Sequence, residues 1–444
     1  MRFIYSWLVR CAVPVALAAI LWRGLRDRSY WQGLPERLGF GRALSAGGIW
    51  LHAVSLGEMS AAAPLLEALR SRHPEMPLLV TTATPAGRAR ALSLFAERSS
   101  LVDRASLAEG ADVRFLPYDT PGSVRRFLAR TRPRIAIIME TELWPNLLRE
   151  CARSRIPVFL ASARLSVKSV SRYRRFSSLF GGVFTENLLV AAQSAEDAER
   201  FKSIGAAAER TLVVGNVKFD LRTDAGNLDA GRQLRVAYAG TRPVWIAGST
   251  HAGEEEQLLD AHALLLEARP NAVLLLVPRH KDRFAAVAEL LTRRAIKFAR
   301  RSQAARDEPA VRDGDTGWLP SDTPVLLVDT VGELAALYAS ADVAFVGGSL
   351  TAIGGHNLLE PAALGLPVLT GSSFFNSKEI AQLLLDRGAA LQVDNAQDLA
   401  AVLTRLLDDP EERRRIGSIG QEIVAANRGS VERLLALIEP ALRE

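Results

Sequence analysis

The sequence predicts an α/β protein built from two doubly wound parallel-sheet domains in tandem. Three observations carry that expectation. Short apolar runs alternate with helix-length stretches from Ile49 onward, the pattern of a parallel sheet covered on both faces. The alternation pauses over residues 222–243, which are polar and rich in Gly, Asp and Arg, and then restarts. A length of 444 residues exceeds one ordinary core, so two domains of roughly 200 residues each are expected. The expected boundaries are 1–28 for an apolar leader, 29–221 for the first domain, 222–243 for a linker and 244–444 for the second domain.

Phe3 to Trp22 is apolar and about long enough to enter or span a bilayer. Arg10 and Pro14 interrupt it, and an arginine at that depth is costly in a centred span. Two fates compete. Ala16-Leu17-Ala18 resembles the small-x-small site of a cleaved secretory signal. Arg23, Arg26 and Arg28, directly after the apolar run, favour retention at a cytoplasmic face. The expectation adopted is a shallow, retained anchor with Tyr5, Trp7, Trp22, Tyr30 and Trp31 at headgroup level.

In the first domain, Ile49 to Val54 is a strand, and Ser55-Leu56-Gly57-Glu58 turns out of it into a helix. That helix has its apolar stripe at Met59, Ala62, Leu65, Leu66 and Leu69. Leu78–Thr82, Arg134–Met139, Pro157–Ala161, Leu189–Gln193 and Leu212–Val214 continue the strands. Arg134–Met139 runs into Glu140-Thr141-Glu142-Leu143-Trp144-Pro145-Asn146. In the second domain, Val244–Gly248 leads to Ser249-Thr250-His251. The following helix has Glu254, Glu255 and Glu256 in its first turn, where acids complement the dipole. Val273–Val277 leads to Pro278-Arg279-His280. Residues 302–324 form a polar loop. Val325–Val328, Val343–Val346 and Pro367–Leu369 complete the sheet, and terminal helices begin near Asn395 and Pro410.

About half the residues are hydrophobic and a quarter charged, ordinary values for a globular chain. Cys11 and Cys151 are the two cysteines, which excludes a disulfide framework and a multi-cysteine metal site. The net charge of +6 suits phosphorylated substrates or anionic lipid. Without zinc-finger spacing or an RNA-binding aromatic motif, nucleic acid is the weakest of the basic-protein partners.

The chemistry gathers at the carboxyl ends of the strands, where doubly wound domains bind ligands. Gly347 to Pro361, GGSLTAIGGHNLLEP, follows a strand and precedes a helix. Its glycines let a ligand approach the backbone, free N–H groups would face a phosphate, and Glu360 suits a ribose hydroxyl pair. Glu58 could act as a general base for a hydroxyl; as a first-turn helix acid it has a purely structural alternative. Glu140 and Glu142 alternate on an extended segment, with Glu140 nearer the strand end. Lys218, in Gly215-Asn216-Val217-Lys218-Phe219-Asp220, could stabilise a phosphate or sugar carboxylate, or simply be solvated. Arg279 suits bidentate contact with either anion. His251, His280 and His356 fall at strand ends, where loop bracing is commoner than metal ligation. Asp313-Gly314-Asp315 is a D-x-D pair in a polar loop without a preceding strand, a weak metal signal. Arg125–Arg134 and Arg164–Arg175 are basic stretches suited to phosphates or anionic lipid, or to solvated helix faces.

Together, the motifs form an ordered set. His52-Ala-Val-Ser-Leu-Gly-Glu58, Met139-Glu-Thr-Glu-Leu-Trp-Pro-Asn146, Ala163-Arg-Leu-Ser166, Gly215-Asn-Val-Lys-Phe-Asp220, Ser249-Thr-His251, Pro278-Arg-His280, Gly332-Glu-Leu334 and Gly347 through Pro361 closely resemble the 3-deoxy-D-manno-octulosonic acid (Kdo) transferases of Gram-negative bacteria, over nearly the whole chain. The resemblance implies a GT-B glycosyltransferase, two Rossmann-like domains facing a cleft. It implies an inverting transfer of Kdo from CMP-Kdo to the lipid A precursor, lipid IVA, at the cytoplasmic face of the inner membrane. No metal or other cofactor and no nucleic acid is implied. Carried over by position, Glu58 resembles the base for a glucosamine 6-hydroxyl, and Glu140 and Lys218 resemble transition-state stabilisers. Pro278, Arg279, Val331, Gly332, Glu333, Asn357, Leu358, Leu359 and Glu360 resemble the CMP-binding positions. Leu358 stands where the family often has proline, Ala352-Ile353 replace a more polar pair, and Gly371–Asn376 departs from the usual segment. Two other classes share parts of this pattern. A sugar-nucleotide 2-epimerase would release a free epimer, and a periplasmic solute receptor would bind sugar without turnover and lose roughly its first 18 residues.

Overall fold

The structure is a computed structural model and describes residues 2–96, 111–175, 182–221, 225–304 and 319–443. Asp313 and Asp315 lie outside the described residues. The chain forms two compact units. One is Met1–Asp220 with Asn427–Glu444, and the other is Leu221–Ala426.

The first unit contains β1 (Ile49–His52), β2 (Leu78–Thr82), β3 (Ala111–Phe115), β4 (Ile135–Met139), β5 (Val158–Ala163), β6 (Leu188–Ala192) and β7 (Thr211–Val213), in the order β3-β2-β1-β4-β5-β6-β7. Every pairing is parallel. Successive residues of a strand point to opposite faces, so each central strand feeds two cores. Leu51 and Ile137 pack with Leu65, Leu69, Leu434 and Ile438 on one face. Trp50 and Ile138 pack with Phe127, Leu147 and Leu160 on the other. The covering helix Ser430–Arg443 comes from the far end of the sequence. The expectation that 244–444 forms one domain is therefore corrected, because the apolar stripe Val431, Leu434, Leu435 and Ile438 closes the first unit's core.

The second unit contains β8 (Val244–Thr250), β9 (Val273–Pro278), β10 (Phe298–Arg300), β11 (Val325–Leu327), β12 (Val343–Val346), β13 (Val368–Thr370) and β14 (Ala390–Gln392), in the order β10-β11-β9-β8-β12-β13-β14. These pairings are parallel too. The linker expected at 222–243 is also corrected. Ala225–Tyr238 is a helix of this unit. Arg235 donates to Ser340 O and Asp342, and the Tyr238 hydroxyl meets Ser340 Oγ at 2.7 Å. A Cβ on Gly231 would come within 2.5 Å of Ala339 Cβ, so the helix lies close against Leu334–Ala339.

Each sheet reverses its winding once, between β1 and β4 and between β8 and β12. Those two points fix where side chains from separate loops can meet over a strand-end crevice.

Arg2–Gly24 is one helix, with Pro14 inside it and a mean hydropathy of 1.9 over its most apolar window. It is long and apolar enough to cross a membrane, and Phe3, Trp7, Val15 and Trp22 are exposed. It is tied to the first unit at two points. The Tyr5 hydroxyl donates to Asp119 Oδ2 (2.8 Å) and the Ser6 hydroxyl to Asn146 Oδ1 (2.9 Å). Asp119 also accepts from the backbone N–H groups of Asn146 and Leu147, at the first turn of the helix Pro145–Arg153. Beyond the apolar helix the chain folds back, with the Trp31 indole donating to Leu21 O.

Candidate active site

In the first unit the functional carboxylates stand on the two sides of the β1/β4 reversal. Ser55 caps the helix Leu56–Ala61 and accepts from Glu58 N. Glu58 Oε2 in turn accepts from Val54 N (2.7 Å), so the side chain curls back towards the end of β1. This is close to a capping box. Burial pushes the Glu58 carboxyl up to about 7; the Val54 N–H opposes this, Glu140 and Glu142 add to it, and Lys218 opposes it. Of the opposing influences weighed from sequence, burial and neighbouring acids outweigh the helix terminus.

Glu140 follows β4 directly and has φ +56°, a left-handed backbone rare outside glycine. This turn breaks the simple alternation expected for Glu140 and Glu142. Glu140 N donates to Ala161 O, and its Oε1 lies 3.0 Å from Lys218 Nζ. Burial, with the Glu140 charge adding to it, also pushes Glu142 up to about 7.

Lys218 sits in the 3-10 turn Val217–Phe219, beyond the edge strand β7. Val217 and Phe219 are buried, and Asp220 accepts from Gly429 N and Val431 N at the start of the last helix. Asn216 Oδ1 accepts from Lys218 N (3.0 Å). Asn216 Nδ2 donates to Gln193 Oε1, and Gln193 Nε2 donates to Ser162 O. Ser162, Gln193 and Asn216 thus hold the lysine turn, a role that sequence reasoning missed. Their position at successive strand ends is the signal that could have found them.

In the second unit, the candidate nucleotide residues follow β9, β11 and β12. Pro278 ends β9, and Arg279 N donates to Thr250 O (3.0 Å). Arg279 and His280 are exposed. Gly332 has φ +92° and Val331 is exposed. Glu333 accepts from Arg301 Nε (3.2 Å) and the Thr330 hydroxyl (2.8 Å). Asn357 Nδ2 donates to Glu360 Oε1 (3.1 Å) while its Oδ1 accepts from Leu359 N. Leu358 and Leu359 have side chains packed in the core, so they offer a ligand only their backbone.

The glycine stretch behaves differently from expectation. Gly348 N donates to both carboxylate oxygens of Glu254 (2.7 and 2.9 Å). Gly347 N donates to Gly248 O, and Gly354 N and Gly355 N donate to Gly348 O. The N–H groups of these four glycines are therefore spent on acceptors of the protein itself rather than left for a phosphate. A Cβ on Gly347 would lie 2.5 Å from Ser249 O and 2.7 Å from Glu254 Oε1, so close packing demands glycine there. Glu254, expected merely to complement a helix dipole, is fully buried and also accepts from His251 N. Burial pushes it up to about 7 despite those N–H donors.

His251 and His356 meet across the β8/β12 reversal. Their Nε2 atoms are 2.7 Å apart and their rings stack with centroids 5.0 Å apart. The His280 ring stands edge-on to His251, with centroids 5.4 Å apart. Burial, then Arg279 and the other two histidines, lowers His356 to about 4. Burial, His280, Arg279 and Arg283 lower His251. Two imidazole nitrogens on one tetrahedral zinc would stand about 3.3 Å apart, given Zn–N near 2.0 Å. The observed pair is a shared-proton contact instead. Among the described residues, no group of three or more His, Cys, Asp or Glu is arranged to hold a metal ion.

The basic stretches divide. Arg126 and Arg130 donate to Leu38 O and Gly41 O and hold the segment before β1. Arg172, Arg174 and Arg175, on the helix Val167–Arg175, are exposed.

Comparison with known proteins places this arrangement among relatives. Residues 32–221 match the family model for 3-deoxy-D-manno-octulosonic-acid transferase, and residues 324–423 match that for group 1 glycosyl transferases. The chain is 38% identical to the 3-deoxy-D-manno-octulosonic acid transferase of Haemophilus influenzae, with 99% of each chain covered. It is 36% identical to that of Bordetella pertussis, again with 99% of each covered. Among solved structures, the UDP-GlcNAc 2-epimerase of Neisseria meningitidis bound to UDP-GlcNAc is similar, with a TM-score of 0.53 and 14% identity. The match covers 88% of this chain and 100% of that one, a likeness of fold alone.

Proposed function

The chain belongs to the 3-deoxy-D-manno-octulosonic acid (Kdo) transferases, glycosyltransferases of the GT-B fold, and on that premise we propose that it moves Kdo from CMP-Kdo to lipid IVA with inversion, using Glu58 as general base. The observation that carries the reading is the acid group at the β1/β4 reversal: Glu58, held near neutrality, beside the Glu140–Lys218 pair.

In the proposed step, the glucosamine 6-hydroxyl oxygen attacks the anomeric carbon of Kdo, and its proton passes to Glu58. The bond from that carbon to the phosphate oxygen breaks, and CMP leaves with the electron pair. A base titrating near 7 is well matched to neutral pH, since it is half available yet basic enough to take a proton. Glu140 would stabilise positive charge that develops on the sugar. Lys218 would hold Glu140 in place. Pro278, Arg279, Val331, Gly332, Glu333, Asn357 and Glu360, with the backbone of Leu358 and Leu359, would bind CMP. Arg279 would take up the phosphate charge. The reading assigns no metal or cofactor to the step.

The exposed apolar helix Arg2–Gly24 supports attachment to the inner membrane, and the basic residues that follow it support the cytoplasmic face. Its anchorage to Asp119 and Asn146 would hold the catalytic unit at a defined distance from lipid. Exposed Arg172, Arg174 and Arg175 suit anionic headgroups or acceptor phosphates.

The test is incubation of the full chain with CMP-Kdo and lipid IVA, with the products weighed by mass spectrometry. Lipid heavier by one or more Kdo residues is expected. Consumption of CMP-Kdo with no Kdo-bearing lipid contradicts the proposal.

A further inference from the structure

Three of the chain's six histidines converge in the second unit, from three different loops. His251 follows β8, His280 follows β9, and His356 lies in the loop after β12. They gather where the sheet reverses its winding, the position at which open α/β sheets take their ligands. We propose that His251, His280 and His356, together with Arg279, form an anion seat that positions an oxyanion of the donor, its phosphate or its sugar carboxylate.

The geometry argues for a ligand rather than for bracing alone. The Nε2–Nε2 contact requires one ring to donate and the other to accept. The donating ring then keeps a bare Nδ1 and the accepting ring carries its proton on Nδ1. The pair is held tightly from beneath. Glu254 accepts from His251 N on one side of the reversal and from Gly348 N on the other. A Cβ on Gly348 would sit 3.2 Å from the His356 ring, so a glycine with φ +72° lets the ring lie against the backbone. Neither imidazole is spent on a carboxylate. Glu254 is satisfied by backbone N–H groups, and Glu255 is paired with Arg283 at 3.1 Å. What remains in the crevice is the Nδ1–H of the accepting ring, the His280 ring and one guanidinium, Arg279, whose charge reaches both rings of the pair. Arg279 and His280 lie on the solvent side, so the seat is open to an incoming group.

The four glycines' N–H groups are taken by acceptors of the protein itself and do not serve the donor's negative charge. The histidine cluster supplies partners for it at the same strand ends. The guanidinium charges of Arg279 and Arg283 also disfavour a cation there.

The inference rests on the donor-binding reading above, and the experiment separates the two. Cytidine and CMP binding to the full chain are measured by titration calorimetry for wild type, His356→Ala, His251→Ala and His280→Ala. The KM for CMP-Kdo is measured alongside. His280→Ala is the safer fold, since that ring is exposed. If the seat holds the phosphate, CMP weakens about 10- to 100-fold in the variants while cytidine is unchanged. If it holds the sugar carboxylate, CMP and cytidine are unchanged and the KM for CMP-Kdo rises by that factor, with kcat within about threefold. Equal weakening of cytidine and CMP would assign the cluster a merely structural role and overturn the seat. So would wild-type values for all three ligands in the variants. Failure of wild type itself to bind CMP would overturn the donor reading, and the seat with it.

Discussion

Lys218 Nζ and Glu140 Oε1 lie 3.0 Å apart although 78 positions separate them in sequence. Both side chains are about one-quarter exposed, and each is held by a constrained backbone. Glu140 sits at φ +56°, a conformation costing of order 1 kcal/mol for a non-glycine residue. Lys218 rides on a turn buried through Val217 and Phe219 and clamped by Asp220 to the last helix. A pair this firmly held is suited to present one carboxylate in one orientation.

Lys218→Met should therefore lower kcat by about 10²–10³-fold, the usual effect of losing one preorganised charged group. The KM for CMP-Kdo should change little, since the lysine belongs to the first unit. Steady-state kinetics with thermal melts check this. A kcat within a factor of two of wild type would remove the pair from the mechanism.

The pH profile follows from Glu58. Its carboxyl is pushed up to about 7, chiefly by burial, and only the deprotonated form can accept a proton. The rate should rise with pH and reach half its plateau near 7. Glu142 raises Glu58, so Glu142→Gln should move this limb to lower pH. Lys218 lowers it, so residual activity of Lys218→Met should show the limb at higher pH. Shifts in the opposite directions would show that another group sets the limb.

Glu254 ties the glycine stretch to the loop after β8. Glu254→Ala leaves the N–H groups of Gly348 and His251 without their acceptor, at a cost of roughly 3 kcal/mol. For a unit of about 200 residues that corresponds to a fall in melting temperature of roughly 6–12 °C. CMP affinity should fall in parallel. An unchanged melting temperature would mean that the loop is held by other contacts.

The central strands were legible because they are buried on both faces. Trp50-Leu51 in β1 and Ile137-Ile138 in β4 read as continuous apolar runs. β3, β10 and β14 were not recognised, and all three are edge strands. Asp112 and Arg114 within β3 pair with each other, which hides the strand behind charge. The helix Ala225–Tyr238 was hidden likewise, because Arg235 works by anchoring carbonyls rather than by adding an apolar stripe. Glu58, Glu140, Lys218 and Arg279 were visible as polar residues at strand ends. The bond between Glu140 and Lys218, the return of Ser430–Arg443 to the first unit and the capture of the Gly348 N–H by Glu254 are long-range contacts. No local pattern encodes them.

The most direct test of the central claim is Glu58→Gln, which keeps the side chain's shape and removes its basicity. Transfer from CMP-Kdo to lipid IVA is measured beside CMP affinity and melting temperature. The account predicts a fall in kcat of about 10²–10⁴-fold with CMP affinity and melting temperature close to wild type. Near-normal turnover by that variant would contradict it.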